Sequence, residues 1–134
     1  MLNSELAQRL QKVPHGFKRD FDAHVYYDLN TRVEAEALRE KAIGELSAKP
    51  ILIGELIDRR VGPHTLPMFE VNFSRAERDA MVSWFEKNRG NLTVLIHEVT
   101  GFDHKDHTES ANWLGTLRPL DYSRLDPDPT ESAT

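Results

Sequence analysis

The sequence contains no cysteine. Disulfides, thiolate nucleophiles and Cys-based zinc or iron–sulfur sites are therefore excluded, so any metal must be held by His, Asp or Glu. The same lack fits a reducing compartment. Long apolar runs are also missing, and nothing reads as a membrane span. The leading stretch MLNSELAQRLQKVP has no apolar centre of the kind a signal peptide needs, so the cytoplasm is the expected location. Clustered basic charge is absent too. The 17 Lys and Arg residues are interleaved with 22 Asp and Glu, for a net charge of -5. That balance argues against nucleic acid as a partner. What is present is an ordinary soluble composition, 39% hydrophobic and 29% charged over 134 residues, which suits one domain with one core.

Residues 1–19 read as a polar leader with a short helix at Ser4–Gln11. Residues 20–125 form the folded domain. Residues 126–134, DPDPTESAT, have the composition of a disordered tail. Within the domain, FDAHVYYD (Phe21–Asp28) alternates. Phe21, Ala23, Val25 and Tyr27 share one face of a strand, while Asp22, His24, Tyr26 and Asp28 share the other. A helix follows, opened by the capping-box pattern Thr31-x-x-Glu34. Its apolar stripe is Val33, Ala37, Leu38, Ala42, Ile43 and Leu46. Strands are expected at Ile51–Ile57 and Met68–Phe73. A second capping box, Ser74-x-x-Glu77, opens a helix carrying Ala80, Met81, Trp84 and Phe85, which ends at Gly90. A last strand spans Leu92–Val99. Residues 100–125 read as irregular.

The order β-α-β-β-α-β predicts an α+β, ferredoxin-like fold. It has a four-stranded antiparallel sheet with both helices on one face, the first and third strands central and the fourth beside the first. The polar strand faces then point away from the helices. His24 and His97 project together from that side, and so does Glu70. His64, in the frame Gly62-Pro63-His64 with Pro67 beyond, sits at the mouth of the third strand where the backbone is restricted. A plain turn has no need of an imidazole there. Neutral imidazoles with a carboxylate suit a divalent transition metal that keeps open positions. His107, in DHT, is a candidate general acid or base. With Asp103 and Asp106 it could instead orient a ligand. His15 and His104 read as incidental, Tyr26 as packing, and Trp113 as either a cavity wall or a pin for the tail.

The blocks FDAHVYYD, VGPHTLPMFEVNF, the helix ending NRG, LTVLIHEVTG, DHT and WLG follow one another in an order and spacing that resemble the DOPA 4,5-dioxygenase family across residues 21 to about 121. The resemblance implies a cytoplasmic, non-haem Fe(II) extradiol dioxygenase. It would use O2 to cleave a catechol, DOPA-like or related. It would form a homodimer as an α+β barrel, and zinc or nickel could stand in for iron. The matching histidines are His24, His64, His97 and His107. The facial argument ranks His24 and His97 first as metal ligands and His64 next. Glu70 is in reserve, and His107 is the proton carrier. GPHTLP replaces an expected second proline after the histidine, and HEVTG stands where HPNTG is more usual. Both departures spare the histidines and bear on loop shape and substrate. Two other classes fit the same fold: a non-catalytic dimeric ferredoxin-like module binding a small aromatic metabolite, and a structural partner that uses the sheet face for assembly.

Overall fold

Alternation in the first strand sets the architecture. β1 (Phe21–Tyr26) sends its apolar residues to one side and Asp22, His24 and Tyr26 to the other, so one strand serves two layers. The computed structural model describes residues 14–125, and the helix expected at Ser4–Gln11 and the tail 126–134 lie outside them. After β1 come α1 (Arg32–Leu46), β2 (Ile51–Ile53), β3 (Met68–Phe73), α2 (Arg78–Asn88), β4 (Thr93–Glu98), α3 (Asp103–Asp106) and β5 (Asn112–Leu114). The strands form one sheet in the order β2-β3-β1-β4-β5. Every pairing is antiparallel.

The expected element order and central strands are present in an α+β fold, but the sheet has five strands. β5 pairs along β4, with Leu95 opposite Trp113, and so covers a backbone edge that would otherwise be exposed. A three-residue strand is too short to show alternation. α3 is a further helix in the stretch expected to be irregular. β2 ends at Ile53, earlier than expected. Ile57 returns to the sheet only through a bridge to Met68.

The helix side is a closed apolar core. Phe69, Val71 and Phe73 of β3 meet Ala23 and Val25 of β1, Val94 and Ile96 of β4, and Met81 and Phe85 of α2. Phe21 stacks on Phe73 with centroids 5.7 Å apart. Each large side chain buried there contributes about 1.5–3 kcal/mol. α1 buries Ala35, Leu38, Ala42 and Leu46. This corrects the expected stripe, since Val33 is 77% exposed. It lies two residues from Ala35, about 200° around the helix axis. In α2, Met81 and Phe85 are buried as expected, Trp84 is partly buried and Ala80 is exposed.

Neither capping box forms. The side chains of Thr31 and Ser74 make no cap hydrogen bond. Asp28 builds the turn before α1 instead, accepting from the backbone N–H groups of Asn30 and Thr31 at 2.9 and 3.0 Å. Ser74 leads into a 3-10 turn, Arg75–Glu77, that precedes α2.

The other face of the sheet is covered by the chain's own loops. Tyr26, Met68, Leu95 and Leu120 form a second buried cluster, with Val61, Leu66 and Trp113 packed against it. Among the described residues, no helix is long and apolar enough to cross a membrane.

Candidate metal centre

Strand register places the polar residues of three strands beside one another on the loop-covered face. His24 of β1 is opposite Glu70 of β3. Asp22, two residues earlier on the same face, is opposite His97 of β4. His24 and His97 are both buried.

His64 arrives from a loop fixed by a turn and by ties to the C-terminal segment. Its backbone N–H donates to the Val61 carbonyl at 2.9 Å, closing a tight turn in which Gly62 takes φ +53°, a value that favours glycine. The turn is then tied to the C-terminal segment. Asp121 N–H donates to the Pro63 carbonyl at 2.7 Å, the Thr65 hydroxyl donates to Pro119 O at 2.7 Å, and His64 bridges Leu120. The imidazole is buried, and its Nδ1 lies 2.7 Å from the Tyr26 hydroxyl.

His107 comes from the C-terminal end of α3. The helix is held against the end of β4 by buried Asp106, whose carboxylate accepts from Thr100 N–H at 2.8 Å and from the Thr100 hydroxyl at 2.7 Å. The Asp103 carbonyl accepts from His107 Nδ1 at 2.8 Å.

The four imidazoles form a closed group. Ring centroids are 4.1 Å apart for His24 and His64, 5.1 Å for His24 and His97, 4.2 Å for His97 and His107, and 5.6 Å for His64 and His107. His15 is exposed, and His104 lies instead against Tyr122, the rings tilted by 55° with centroids 5.9 Å apart. Nitrogens of His24, His64 and His107 lie mutually within 4.8 Å, as do ligating atoms of Asp22, His24 and His97.

Hydrogen bonds fix the tautomers. Glu98 O can only accept, so His97 Nδ1, 2.7 Å away, carries the proton. With that proton on Nδ1, the lone pair of the His97 ring lies on Nε2, 3.0 Å from His24 Nε2. His24 therefore donates from Nε2 and keeps its own lone pair on Nδ1. That Nδ1 is buried without a hydrogen-bond partner, and its nearest carboxylate oxygen is Glu70 Oε2 at 3.7 Å. By the same logic His107 keeps its lone pair on Nε2.

Burial favours the neutral form of His24, His64 and His107. It holds His24 well below the usual histidine range, with further lowering by His64, His97, His107 and Arg19. Burial, followed by His107 and His97, brings His64 down to about 3. His107 is lowered by burial and then by His97. Burial also raises the Tyr26 phenol, which stays protonated. Metal ligation requires neutral imidazoles. The residues fit a divalent cation: a buried, orphaned lone pair costs free energy that a cation would recover, and the donors are of the imidazole type.

Asp22 is less suited to ligation. Arg19 donates to both its oxygens, Nε to Oδ1 at 2.8 Å and Nη2 to Oδ2 at 2.6 Å, and Asn72 donates to Oδ1 at 2.6 Å. A cavity of about 270 Å³ opens on the cluster. His24, His64, Glu70 and His107 line it, with Arg19 and Asp22 beside them. Tyr26 as the partner of His64, and the Arg19–Asp22–Asn72 chain, were not expected from sequence. Alternation places Asp22 on the histidine face, but the partners depend on cross-strand register.

A family model described as the Dopa 4,5-dioxygenase family matches residues 21–124. Among curated proteins, the chain is 33% identical over 117 residues to an uncharacterized 21.2 kDa protein of Botryotinia fuckeliana, covering 81% of this chain and 64% of that one. It is 26% identical over 124 residues to a DOPA 4,5-dioxygenase of Amanita muscaria, covering 87% and 54%. The chain thus spans less than two thirds of the length of either relative. Among solved structures it resembles a "putative dioxygenase" of Nostoc punctiforme PCC 73102, with 31% identity, coverage of 87% of this chain and 94% of that one, and a TM-score of 0.72.

Proposed function

The chain belongs to the Dopa 4,5-dioxygenase family, and from that membership we propose that it is a non-haem Fe(II) extradiol dioxygenase. It opens a catechol ring beside its two hydroxyls. Both atoms of O2 end in the product, a hydroxymuconic semialdehyde-type compound, so no external reductant is consumed. The observation that carries this reading is the orphaned His24 Nδ1 within a group of four imidazoles that opens on a cavity.

His24, His64 and His107 are the residues that would hold the ion, since their donor atoms lie within one ion's reach. Bound there, it supplies Lewis acidity that lowers the catechol hydroxyl pKa and couples the ring to O2. His97 is a positioning residue: it takes the His24 Nε2 proton into a hydrogen bond and so directs Nδ1 outward. Glu70, across the strand from His24, is the carboxylate in reach of the catechol proton and acts as general base. Tyr26 orients His64 through the bond to its Nδ1. His107 thus takes the ligand role expected of His97, and Glu70, expected as the reserve ligand, takes the proton role expected of His107. The loops that cover the sheet face keep water from the buried rings.

One observation favours a second donor set. The Nε2 atoms of His24 and His97 lie 3.0 Å apart, close enough that both could serve as donors to one ion. In that set His97 is a ligand and His107 is free to carry the proton.

The test is anaerobic loading with Fe(II), followed by a panel of catechols with O2 uptake and product absorbance recorded together. Oxygen uptake matched by a yellow ring-opened product supports the activity. Iron-loaded protein inert toward the whole panel contradicts it.

A further inference from the structure

The cavity beside the imidazoles has an asymmetric rim. One wall is apolar, formed by Val61, Pro63 and Met68, and suits the face of an aromatic ring. Arg19 and Arg124 lie in the same lining. The Arg124 Nε is 4.0 Å from Asp121. Arg19 is held far more firmly. Its Nε and Nη2 form a fork onto Asp22, and Asn72 fixes Asp22 in turn. Asp22 is buried, whereas the Arg19 side chain is 52% exposed.

A guanidinium carries five N–H groups, and this fork uses two. The Nη1 edge makes no hydrogen bond among the described residues and presents a second fork suited to a carboxylate. Its orientation is set before any ligand arrives, so little rotamer entropy remains to be lost. Glu70 and Asp103 also line the cavity. Under the dioxygenase reading, Glu70 lies beside the ion, whose charge offsets its own. The chain as a whole carries a net charge of -5, which disfavours anions in general. A preference for an anionic ligand therefore needs a local cause.

We propose that Arg19 is a specificity-determining residue that selects catechols bearing a carboxylate on their side arm. The inference rests on the dioxygenase reading and deepens it. The ring lies against the apolar wall with its hydroxyls toward the histidines, and the carboxylate reaches the free edge of Arg19. Asp22 then has a purpose besides charge balance: it aims the guanidinium.

The experiment measures calorimetric binding of 3,4-dihydroxyphenylacetate, which is anionic, and of 4-ethylcatechol, which is neutral and of similar size. Both are titrated into the Fe(II)-loaded full chain without O2. Wild type is expected to bind the anionic catechol about 10–100-fold more tightly. Arg19→Gln, at unchanged iron content, should erase the preference, and Arg19→Lys should keep part of it, because an ammonium supplies charge without the fork. Equal affinities in wild type overturn the proposal and require no variant. So does a preference that survives Arg19→Gln. If Arg19→Gln fails to fold, the wild-type comparison and Arg19→Lys decide. Admitting O2 afterwards separates the two claims. Selective binding without ring opening supports Arg19 and removes the dioxygenase reading, whereas ring opening of both catechols with equal binding does the reverse.

Discussion

The two faces of the sheet use the same strands for opposite ends. On the helix side, Phe69, Phe73, Phe85, Val25 and Val94 are fully buried and apolar. Their apolar surface gains from leaving water. On the loop side, His24, His64, His97, Asp22 and Tyr26 are also buried, yet they bury polar atoms, one of them orphaned. That costs stability unless something binds. The first face holds the fold. The second spends part of that stability on a preformed set of donors, the pattern expected of a functional site.

Substitutions can break this contrast from either side. The largest expected effect is on the loop face. His107→Ala should reduce catechol turnover by at least about 10³-fold and lose the ion, while His97→Ala keeps the ion and reduces turnover less. Metal analysis beside kinetics reads both. The reverse pattern would assign the donor set that includes His97. On the helix face, Phe69→Ala should cost about 3–5 kcal/mol by denaturant unfolding, because it empties a closed core. The ion should still bind to whatever fraction stays folded.

Acid should separate the faces next. His64 is held at about 3 when folded and near the usual histidine value when unfolded. The unfolded chain therefore binds more protons between those values. Stability of the metal-free protein should be complete above about pH 6.5 and fall as the pH drops towards 3, by on the order of 4–5 kcal/mol from this residue. His64→Gln should flatten the slope in unfolding curves recorded across that range. The smallest effect is the most specific. His24→Leu removes the orphaned nitrogen but also takes the donor from His97 Nε2, so the two effects offset and the metal-free protein should change by no more than about 1–2 kcal/mol in either direction, while metal binding is abolished. A large loss of stability would mean that the imidazole is structural.

The helix face was legible in the sequence because alternation is a local signal. Phe21, Ala23 and Val25 declare it within five residues, and the same rule puts His24 and His97 on the opposite side. Other features were hidden for physical reasons. Val33 matched a helical stripe by composition, but its angular position turns it to solvent. Thr31-x-x-Glu34 has the residues of a capping box, but Asp28 takes both the Thr31 N–H that Glu34 would accept from and the Thr31 hydroxyl. β5 is too short to show a period. The position of His64 depends on residues 119–121, more than fifty places along the chain. That of His107 depends on Asp106 reaching Thr100. Strand alternation cannot place a loop residue, so His64 came into view through its Gly62-Pro63 frame and His107 through its acidic surroundings, and the order of the family blocks then matched both. Their partners came only with the fold.

The central claim is that this group of imidazoles holds one cation, and stoichiometry tests it most directly. Tag-free protein stripped of metal would be titrated anaerobically with Fe(II), passed through gel filtration, and assayed for iron per chain beside His24→Leu. The account predicts one iron per chain in the wild type and none in the variant. Iron absent from both, or retained equally by both, would contradict it.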